Sequence, residues 1–600
     1  MNREVMDRQP WVCLMLVVML ALWGSPCASG QQRPNVVLIV TDDQGYGDLS
    51  CHGNPVLKTP HLDALHAESV RLVDYHVSPT CSPTRSALLT GHWTNRTGVW
   101  HTIMGRSMLR ENEITIGQMF QDAGYATGMF GKWHLGDNYP FRPEDRGFTE
   151  VMRHGGGGVG QTPDYWDNAY FDGTYWHNGV PEPVHGFCTD VFFDYARRFI
   201  KQQKEAGRPF FAYIATNAPH GPMHAPEEYS APYAEHGTHL ANFFGMIVNI
   251  DENVGKLRTF LQEEGLEENT ILIFTTDNGS SSGWKLYNAG MRAGKGSEYD
   301  GGHRVPFFIR WPAGGLKAAR DIEPITAHVD IVPTLLDLCG IAPPAGSKFD
   351  GQSIKPLLYG DAKDWPDRIL ITDSQRVKDP IKWRKSAVMT SRWRLINGKE
   401  LYDIKHDPGQ QRDVASGHPE VVARLRAFYE RWWAELEPTF KQDARIYLGH
   451  PRENPARLTC HDWITTGSTP WNQAAVRRAM HGSANTGYWN VQVVEAGRYA
   501  IRLRRWPAEL GAAIDAEVPP GDLVPGEKPF RATPGVAIHP VRALVEIAGN
   551  KWESDVRPGD VETEFVVDLP AGPTRLEARF VEASGEVYGA YYAYVERLLD

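Results

Sequence analysis

Three short stretches of the chain are almost unbroken apolar runs, and each ends abruptly on polar side chains of a catalytic kind. Asn35–Thr41 (NVVLIVT) runs straight into Asp42-Asp43, Pro209–Thr216 (PFFAYIAT) into Asn217-Ala218-Pro219-His220, and Thr270–Thr276 (TILIFTT) into Asp277-Asn278-Gly279. Runs this short and this apolar suit strands buried on both faces, as in a parallel sheet. Helical stretches over Phe192–Gln203 and Asn242–Glu264 separate them. The pattern therefore predicts an α/β fold with a large, mostly parallel sheet flanked by helices. Ligands of such sheets sit beyond the carboxyl ends of the strands, so the three strands aim Asp42, Asp43, His220, Asp277 and Asn278 at one rim.

After Pro343 the texture changes. Gly346–Pro438 carries short strand patterns and an amphipathic helix near Val421–Leu436, which predicts a smaller α+β C-terminal subdomain. Beyond about Lys441, Tyr488–Val494, Gly497–Arg504, Val541–Ile547, Glu562–Val567 and Arg575–Val581 alternate or run apolar between Gly and Pro turns. They predict an appended β-sandwich-like domain, either a structural cap or a carbohydrate-binding module. At the other end, Arg3 and Arg8 precede an apolar run from Trp11 to Trp23 and the small residues Ala28-Ser29-Gly30. That is the pattern of a signal peptide, and the run is too short to span a membrane comfortably. The expected organisation is a signal peptide over 1–30, a catalytic domain over 31–345, its C-terminal subdomain over 346–440 and a β-rich accessory domain over 441–600. The protein is expected to be exported, periplasmic or secreted, with no stable membrane span once the leader is removed.

Composition narrows the function classes. A net charge of −11 over 600 residues excludes a strongly basic nucleic-acid binder. It leaves room for an anionic substrate, because a local cationic site dominates at close range. Cys13 and Cys27 would leave with the leader, and Cys51, Cys81, Cys188, Cys339 and Cys460 remain. Their spacing matches no zinc site, and an odd number leaves at least one thiol unpaired in an oxidising compartment. Asn95-Arg96-Thr97 is a glycosylation sequon if the host is eukaryotic.

Cys81-Ser82-Pro83-Thr84-Arg85-Ser86-Ala87-Leu88-Leu89-Thr90-Gly91 predicts a helix with Pro83 early, Leu88 and Leu89 facing a core and Gly91 as its cap. Cys81 then stands at a helix N-terminus, where unpaired N–H groups favour anionic oxygens. Cys81-x-Pro83-x-Arg85 followed by Leu89-Thr90-Gly91 resembles the signature of type I sulfatases of the alkaline phosphatase superfamily, with Thr84 where the family usually has Ser. The resemblance implies an alkaline phosphatase-like fold and oxidation of Cys81 to formylglycine by a maturation enzyme, the hydrated aldehyde acting as nucleophile. It further implies one Ca²⁺ held by Asp42, Asp43, Asp277 and Asn278, with formylglycine 81 completing the shell. Two adjacent acids at the end of a buried strand would otherwise repel each other, and a hard divalent ion with oxygen ligands resolves this.

Further motifs extend the resemblance over about residues 34–440. Gly131-Lys132-Trp133-His134-Leu135-Gly136 resembles the second family motif; Lys132 would bridge formylglycine and a sulfate oxygen, and His134 would hold the diol and take its proton. His220 matches the histidine that protonates the leaving alcohol, a task for which its pKa range suits it. Gly294-Lys295-Gly296 resembles the last motif, Lys295 clamping a sulfate oxygen. Arg85 would join these cations in stabilising charge at sulfur.

For the substrate, His154 precedes the glycine run Gly155–Gly158, and Tyr165, Trp166, Tyr170, Phe171, Tyr175 and Trp176 follow among acids. With no Lys-Ser/Thr after the glycines, a nucleotide loop is rejected. The aromatics either stack on sugar rings or pack as a loop supporting the rim. His154, Tyr165, Trp166, His224 and Trp284 are the candidate substrate contacts, for a sulfated small molecule or glycan. The competing readings are a phosphonate or phosphate monoester hydrolase of the same superfamily and an inert binding protein on this scaffold.

Overall fold

The computed structural model describes residues 33–599 except 362, 364, 483 and 484. The expected signal peptide, with Cys13 and Cys27, lies outside the described residues. Among those described, no helix is long and apolar enough to cross a membrane.

The strand predicted over Asn35–Thr41 forms with those bounds and lies in the middle of a ten-stranded sheet. Thr270–Thr276 pairs parallel on one side and Phe210–Ala215 on the other, and Val37 faces both Leu272 and Ala212. The parallel run continues through Ala126–Gly131 to Glu150–Arg153. Toward the margins the sheet becomes antiparallel: Phe307–Arg310 joins Thr270–Thr276, and Thr174–His177 joins Glu150–Arg153. The sheet is therefore mixed, parallel where the site residues emerge.

Strand alternation sorts the side chains into two cores. Val36, Leu38 and Val40 pack with Leu88, Phe120 and Leu335 on one face. Val37 and Ile39 pack with Phe192, Phe193, Ile247 and Ile250 on the other. The helices on that second face, Cys188–Glu205 and Thr238–Glu263, extend the predicted spans at their N-termini. All five strand residues are fully buried, which contributes roughly 1.5–3 kcal/mol for each large side chain.

The α+β segment forms a four-stranded antiparallel sheet, Leu370–Asp373, Ser386–Met389, Trp393–Ile396 and Glu400–Asp403. Helix Pro419–Leu436 covers it through Leu425, Tyr429, Trp432 and Trp433. A buried polar seam ties this sheet to the large one. Arg394, wholly buried, reaches Asp300 at 3.0 Å and Asp74 at 2.7 Å, and Asp74 also meets His76 at 2.9 Å. Burial opposes the charge on Asp74, but Arg394 and His76 hold its carboxyl below the usual range.

Beyond this seam, His328 lies buried with Nε2 3.2 Å from the Ser78 hydroxyl. Burial, reinforced by His76 and His303, holds its pKa down to about 3. A histidine whose folded pKa lies below its unfolded value of about 6.5 stabilises fully above pH 6.5 and loses that contribution as pH falls toward 3. Urea unfolding of wild type and His328→Gln at pH 7.5 and 5.0 should show the difference shifting by about 2 kcal/mol toward the variant at the lower pH. A constant difference would contradict a neutral buried imidazole.

The last segment forms two further sheets. A six-stranded one contains Tyr488–Val493, Gly572–Glu582 and Pro540–Ile547; a four-stranded one contains Ala456–Thr459, Tyr592–Arg597, Gly497–Arg504 and Thr563–Leu569. Their shared core holds Trp489, Ile501, Phe565 and Phe580, and also Met108, Phe141 and Trp166 from far earlier in the chain. Cys51, Cys81, Cys188 and Cys460 are free thiols. Asn95 is buried and donates to Asp373 at 2.9 Å, which leaves no room for a glycan at the sequon.

Candidate active site

The rim anticipated from the three strands exists. Asp42 and Asp43 leave the central strand, and Asp43 adopts a left-handed backbone, φ 70°. Asp277 and Asn278 leave the neighbouring strand, and the backbone N–H of Asp43 donates to Asp277 Oδ1 at 3.3 Å. Cys81 begins helix Cys81–Thr90, which ends on Gly91 in the left-handed region, φ 75°. The thiol is 2% exposed, and its sulfur lies within 4.8 Å of carboxylate oxygens of Asp42 and Asp277.

Three cations interlock with the three acids. Lys132 Nζ lies 2.5 Å from Asp42 Oδ2, Lys295 Nζ 2.5 Å from Asp43 Oδ1, and Arg85 grips Asp277 Oδ2 through Nε at 3.0 Å and Nη2 at 2.7 Å. Arg85 Nη1 also donates to the Lys132 carbonyl at 2.9 Å, which joins the first two motifs. Burial raises the Asp42 carboxyl, partly offset by Lys132. Burial and Asp42 push Asp277 up to about 6 against the pull of Arg85. Asp43 is the exception: burial would raise it, yet Lys295, His220 and the Asn278 amide hold it below the ordinary carboxylate range.

Two buried oxygens of this group, Asp42 Oδ1 and Asn278 Oδ1, have no hydrogen-bond partner. Orphaned buried acceptors are rare and need an explanation. Asp42, Asp277 and Cys81 bring ligand atoms close enough to hold a metal ion, and the oxygens of Asp42, Asp43, Asp277 and Asn278 suit a hard divalent cation.

His134 and His220 face the space beside Cys81. His134, at φ 61°, places Nε2 2.8 Å from the Thr102 carbonyl, to which it donates, leaving its buried Nδ1 without a partner. His220 Nδ1 donates to the Gly221 carbonyl at 2.8 Å, which leaves Nε2 as the basic nitrogen. Burial and then Lys295 lower the His220 pKa to about 3. The glycine run lies against both rings. A Cβ on Gly157 would sit 2.3 Å from His134 Cε1, and one on Gly158 would lie 3.5 Å from His220 Nδ1. Gly157 therefore has no side chain because the His134 ring occupies that space.

The cavity here measures about 90 Å3 and is lined by Cys81, Thr102, Ile103, His134, Gln161, His220, Lys295, Arg376 and Trp471. None of His154, Tyr165, Trp166, His224 and Trp284 is in this lining. Trp166 packs edge-on against Trp506 at 5.4 Å, with Arg477 over its ring. His224 Nε2 donates to the Glu527 carbonyl at 2.8 Å. His154 is buried with Nδ1 on the Gly155 carbonyl, Tyr165 stands edge-on to Trp176, and Trp284 buttresses Gly294 beside Lys295. Of the aromatic stretch, Trp166, Tyr170 and Tyr175 are buried, whereas Tyr165, Phe171 and Trp176 are half-buried. Gln161 comes from that stretch, whereas Arg376 and Trp471 carry no motif in the sequence that could have flagged them.

The sheet order, its helical cover and this rim place the protein in the alkaline phosphatase superfamily. A family model described as Sulfatase matches residues 34–341, and one described as N-sulphoglucosamine sulphohydrolase, C-terminal, matches 294–431. The chain belongs to the formylglycine-dependent sulfatase family and is a sulfatase-type hydrolase. It is 34% identical to N-acetylgalactosamine-6-sulfatase of Canis lupus familiaris over 371 residues, covering 58% of this chain and 70% of that protein. It is 30% identical to arylsulfatase A of Homo sapiens over 495 residues, covering 72% of this chain and 94% of that one. Among solved structures, Ps i-CgsB in complex with k-i-k-neocarrahexaose superposes with a TM-score of 0.62 at 28% identity, covering 67% of this chain and 93% of that one.

Proposed function

We propose that the protein hydrolyses sulfate monoesters of a carbohydrate, using a formylglycine made from Cys81 and one Ca²⁺. The observation that carries this is the meeting of a free Cys81 with three buried acids and two orphaned oxygens. Asp42, Asp43, Asp277 and Asn278 would hold the calcium, which would supply charge neutralisation at the reacting oxygens. Formylglycine, as the hydrated aldehyde, would supply the nucleophile and a route for releasing sulfate that a plain thiol or hydroxyl lacks.

The chain's own residues do the rest. Lys295, which lines the cavity with Cys81, and Lys132, buried on Asp42, would neutralise charge that builds on a sulfate held at residue 81. Arg85 fixes Asp277 and, through the Lys132 carbonyl, the turn that carries Lys132. His134 is held by Thr102 with Nδ1 free to take a proton from the group at position 81. His220 Nε2 is positioned to give a proton to the departing oxygen. The low pKa of its buried ring rises once an anionic ester occupies the cavity, since a neighbouring negative charge favours the protonated form. A carbohydrate substrate is supported by the relatives' own names, one for N-acetylgalactosamine-6-sulfate and one for a complex with neocarrahexaose. Export, and a maturation enzyme acting on Cys81, complete the reading.

The test is to express the chain with a formylglycine-generating enzyme and compare aryl sulfate with aryl phosphate turnover, with and without a calcium chelator. Sulfate turnover should exceed phosphate turnover and fall by about 10³-fold on chelation, the worth of several kcal/mol at the reacting centre. Dominant phosphate turnover would move the protein to the phosphohydrolase reading, and no turnover with verified formylglycine would favour an inert scaffold.

A further inference from the structure

The cavity beside Cys81 is small. Its roughly 90 Å3 is well short of the ~300–1,000 Å3 of sites that enclose a whole drug-sized ligand. It can hold a sulfate and its ester link, so the rest of a substrate must lie at the mouth, against Arg376 and Trp471.

Arg376 has two unusual properties. Its guanidinium is exposed and forms no ion pair with any described residue, although the chain carries a net charge of −11. The acids nearest in sequence are engaged elsewhere: Asp373 with Asn95 and Gln375, and Asp379 toward Arg106 at 3.9 Å. Its backbone sits at φ 41°, a left-handed conformation that disfavours any residue but glycine. The surroundings enforce this conformation. The Arg376 N–H donates to the Trp100 carbonyl at 3.2 Å, the Gln375 side chain bridges both backbone groups of Ile381, and Arg384 Nε donates to the Gln375 carbonyl at 2.7 Å. A strained residue that its surroundings over-determine is a marker of function. No Asp or Glu lines the cavity, which Lys295 and Arg376 both line.

Trp471 faces the same opening. It is half-buried, edge-on to Phe530 at 5.7 Å, and its carbonyl accepts from the Thr162 N–H at 3.0 Å. The neighbouring Pro470 carbonyl accepts from the Thr162 hydroxyl at 2.7 Å. Residue 471 lies beyond both family-model matches. An aromatic side chain and an unpaired arginine on a held backbone at one opening suit a sugar ring bearing an anionic substituent.

We propose that Arg376 and Trp471 form a second recognition site at the mouth of the active-site cavity. It takes a second anionic group, a carboxylate or a further sulfate, carried by the substrate beside the sulfate that is cleaved. The proposal rests on the sulfated-glycan reading above.

Two measurements test it. A panel of sulfated glycans, singly sulfated and otherwise neutral, disulfated, or bearing a uronate neighbour, is read for binding with Cys81→Ser and with Cys81→Ser/Arg376→Gln. Cys81→Ser should prefer the doubly charged glycans, and the double variant should lose about 10–100-fold on these alone, as expected for a charge-assisted hydrogen bond. The disulfated and uronate arms show which anion is read. In the matured enzyme, Arg376→Gln should lower kcat/KM for doubly charged glycans about 10–100-fold more than for singly sulfated glycans or an aryl sulfate. Trp471→Ala should weaken singly and doubly charged glycans alike. Arg376→Gly, which suits φ 41°, should melt no earlier than wild type yet lose the preference, which separates recognition from folding. Equal losses on singly and doubly charged glycans, no loss, or no binding of any sulfated glycan by Cys81→Ser would overturn the proposal. If the preference appears in binding but the matured enzyme hydrolyses no aryl sulfate, the catalytic reading fails and the recognition site stands.

Discussion

Asp277→Asn is expected to leave almost no sulfatase activity and to unfold at lower denaturant. The carboxylate has two duties that an amide cannot share. One oxygen is gripped by Arg85, a side chain with no exposed surface, and the other accepts from the backbone at Asp43 within the oxygen cluster. Removing the charge strands a buried guanidinium, and breaking such a pair on one side costs about 3–5 kcal/mol. It also removes a hard ligand from the cluster, and the rate should fall by roughly 10³–10⁵-fold with the metal's contribution at the reacting centre. Urea unfolding and initial rates on an aryl sulfate measure the two effects separately. If the variant kept a tenth of the wild-type rate, the cluster would not be where the ion acts.

His220→Asn should show a loss that depends on the leaving group. The proposed task of His220 is to protonate the oxygen that departs, and general acid catalysis contributes about 10²–10⁴-fold. A sugar alcohol needs that proton, whereas a nitrophenolate leaves without it. The variant should therefore lose about 10²–10⁴-fold in kcat on a sulfated sugar and far less on a nitrophenyl sulfate. Equal losses on both would assign the residue to binding or to packing against Gly158 instead.

The sequence made the central part of this site legible because chemistry and local structure coincide there. Asn35–Thr41 and Thr270–Thr276 are strands with the predicted bounds, and their apolar runs stop where the site begins. The helix that opens at Cys81 and closes at Gly91 was readable from local signals alone. The contacts made by residues distant in the chain were not. The sequence left Trp166 as either a sugar platform or a packed ring, because periodicity tells that a ring will be buried and not against what; in the fold it meets Trp506, far along the chain. His224 was four residues from His220, and it meets the carbonyl of Glu527. Arg376 and Trp471 reach the cavity only because two separate sheets bring their loops to the same opening, and no short pattern encodes that. Even the mixed character of the large sheet followed from late-arriving strands such as Phe307–Arg310, whose direction a hydropathy pattern does not carry.

The grip of the last segment on the glycine loop has a further consequence. Gln473 donates to the carbonyls of Gln161 and Tyr165, its backbone N–H bonds to Gly160, and Glu527 accepts from the Met223 N–H at 2.7 Å. The residues that set the mouth of the cavity are thus neighbours of those that hold the loop beneath the two histidines in place. Changes here would loosen His134 and His220 at the same time, because the loop they pack against would shift with them. If the mouth reads the substrate as proposed, a new specificity is gained at less cost at Arg376, whose backbone is held by Trp100, than at the Trp471 loop.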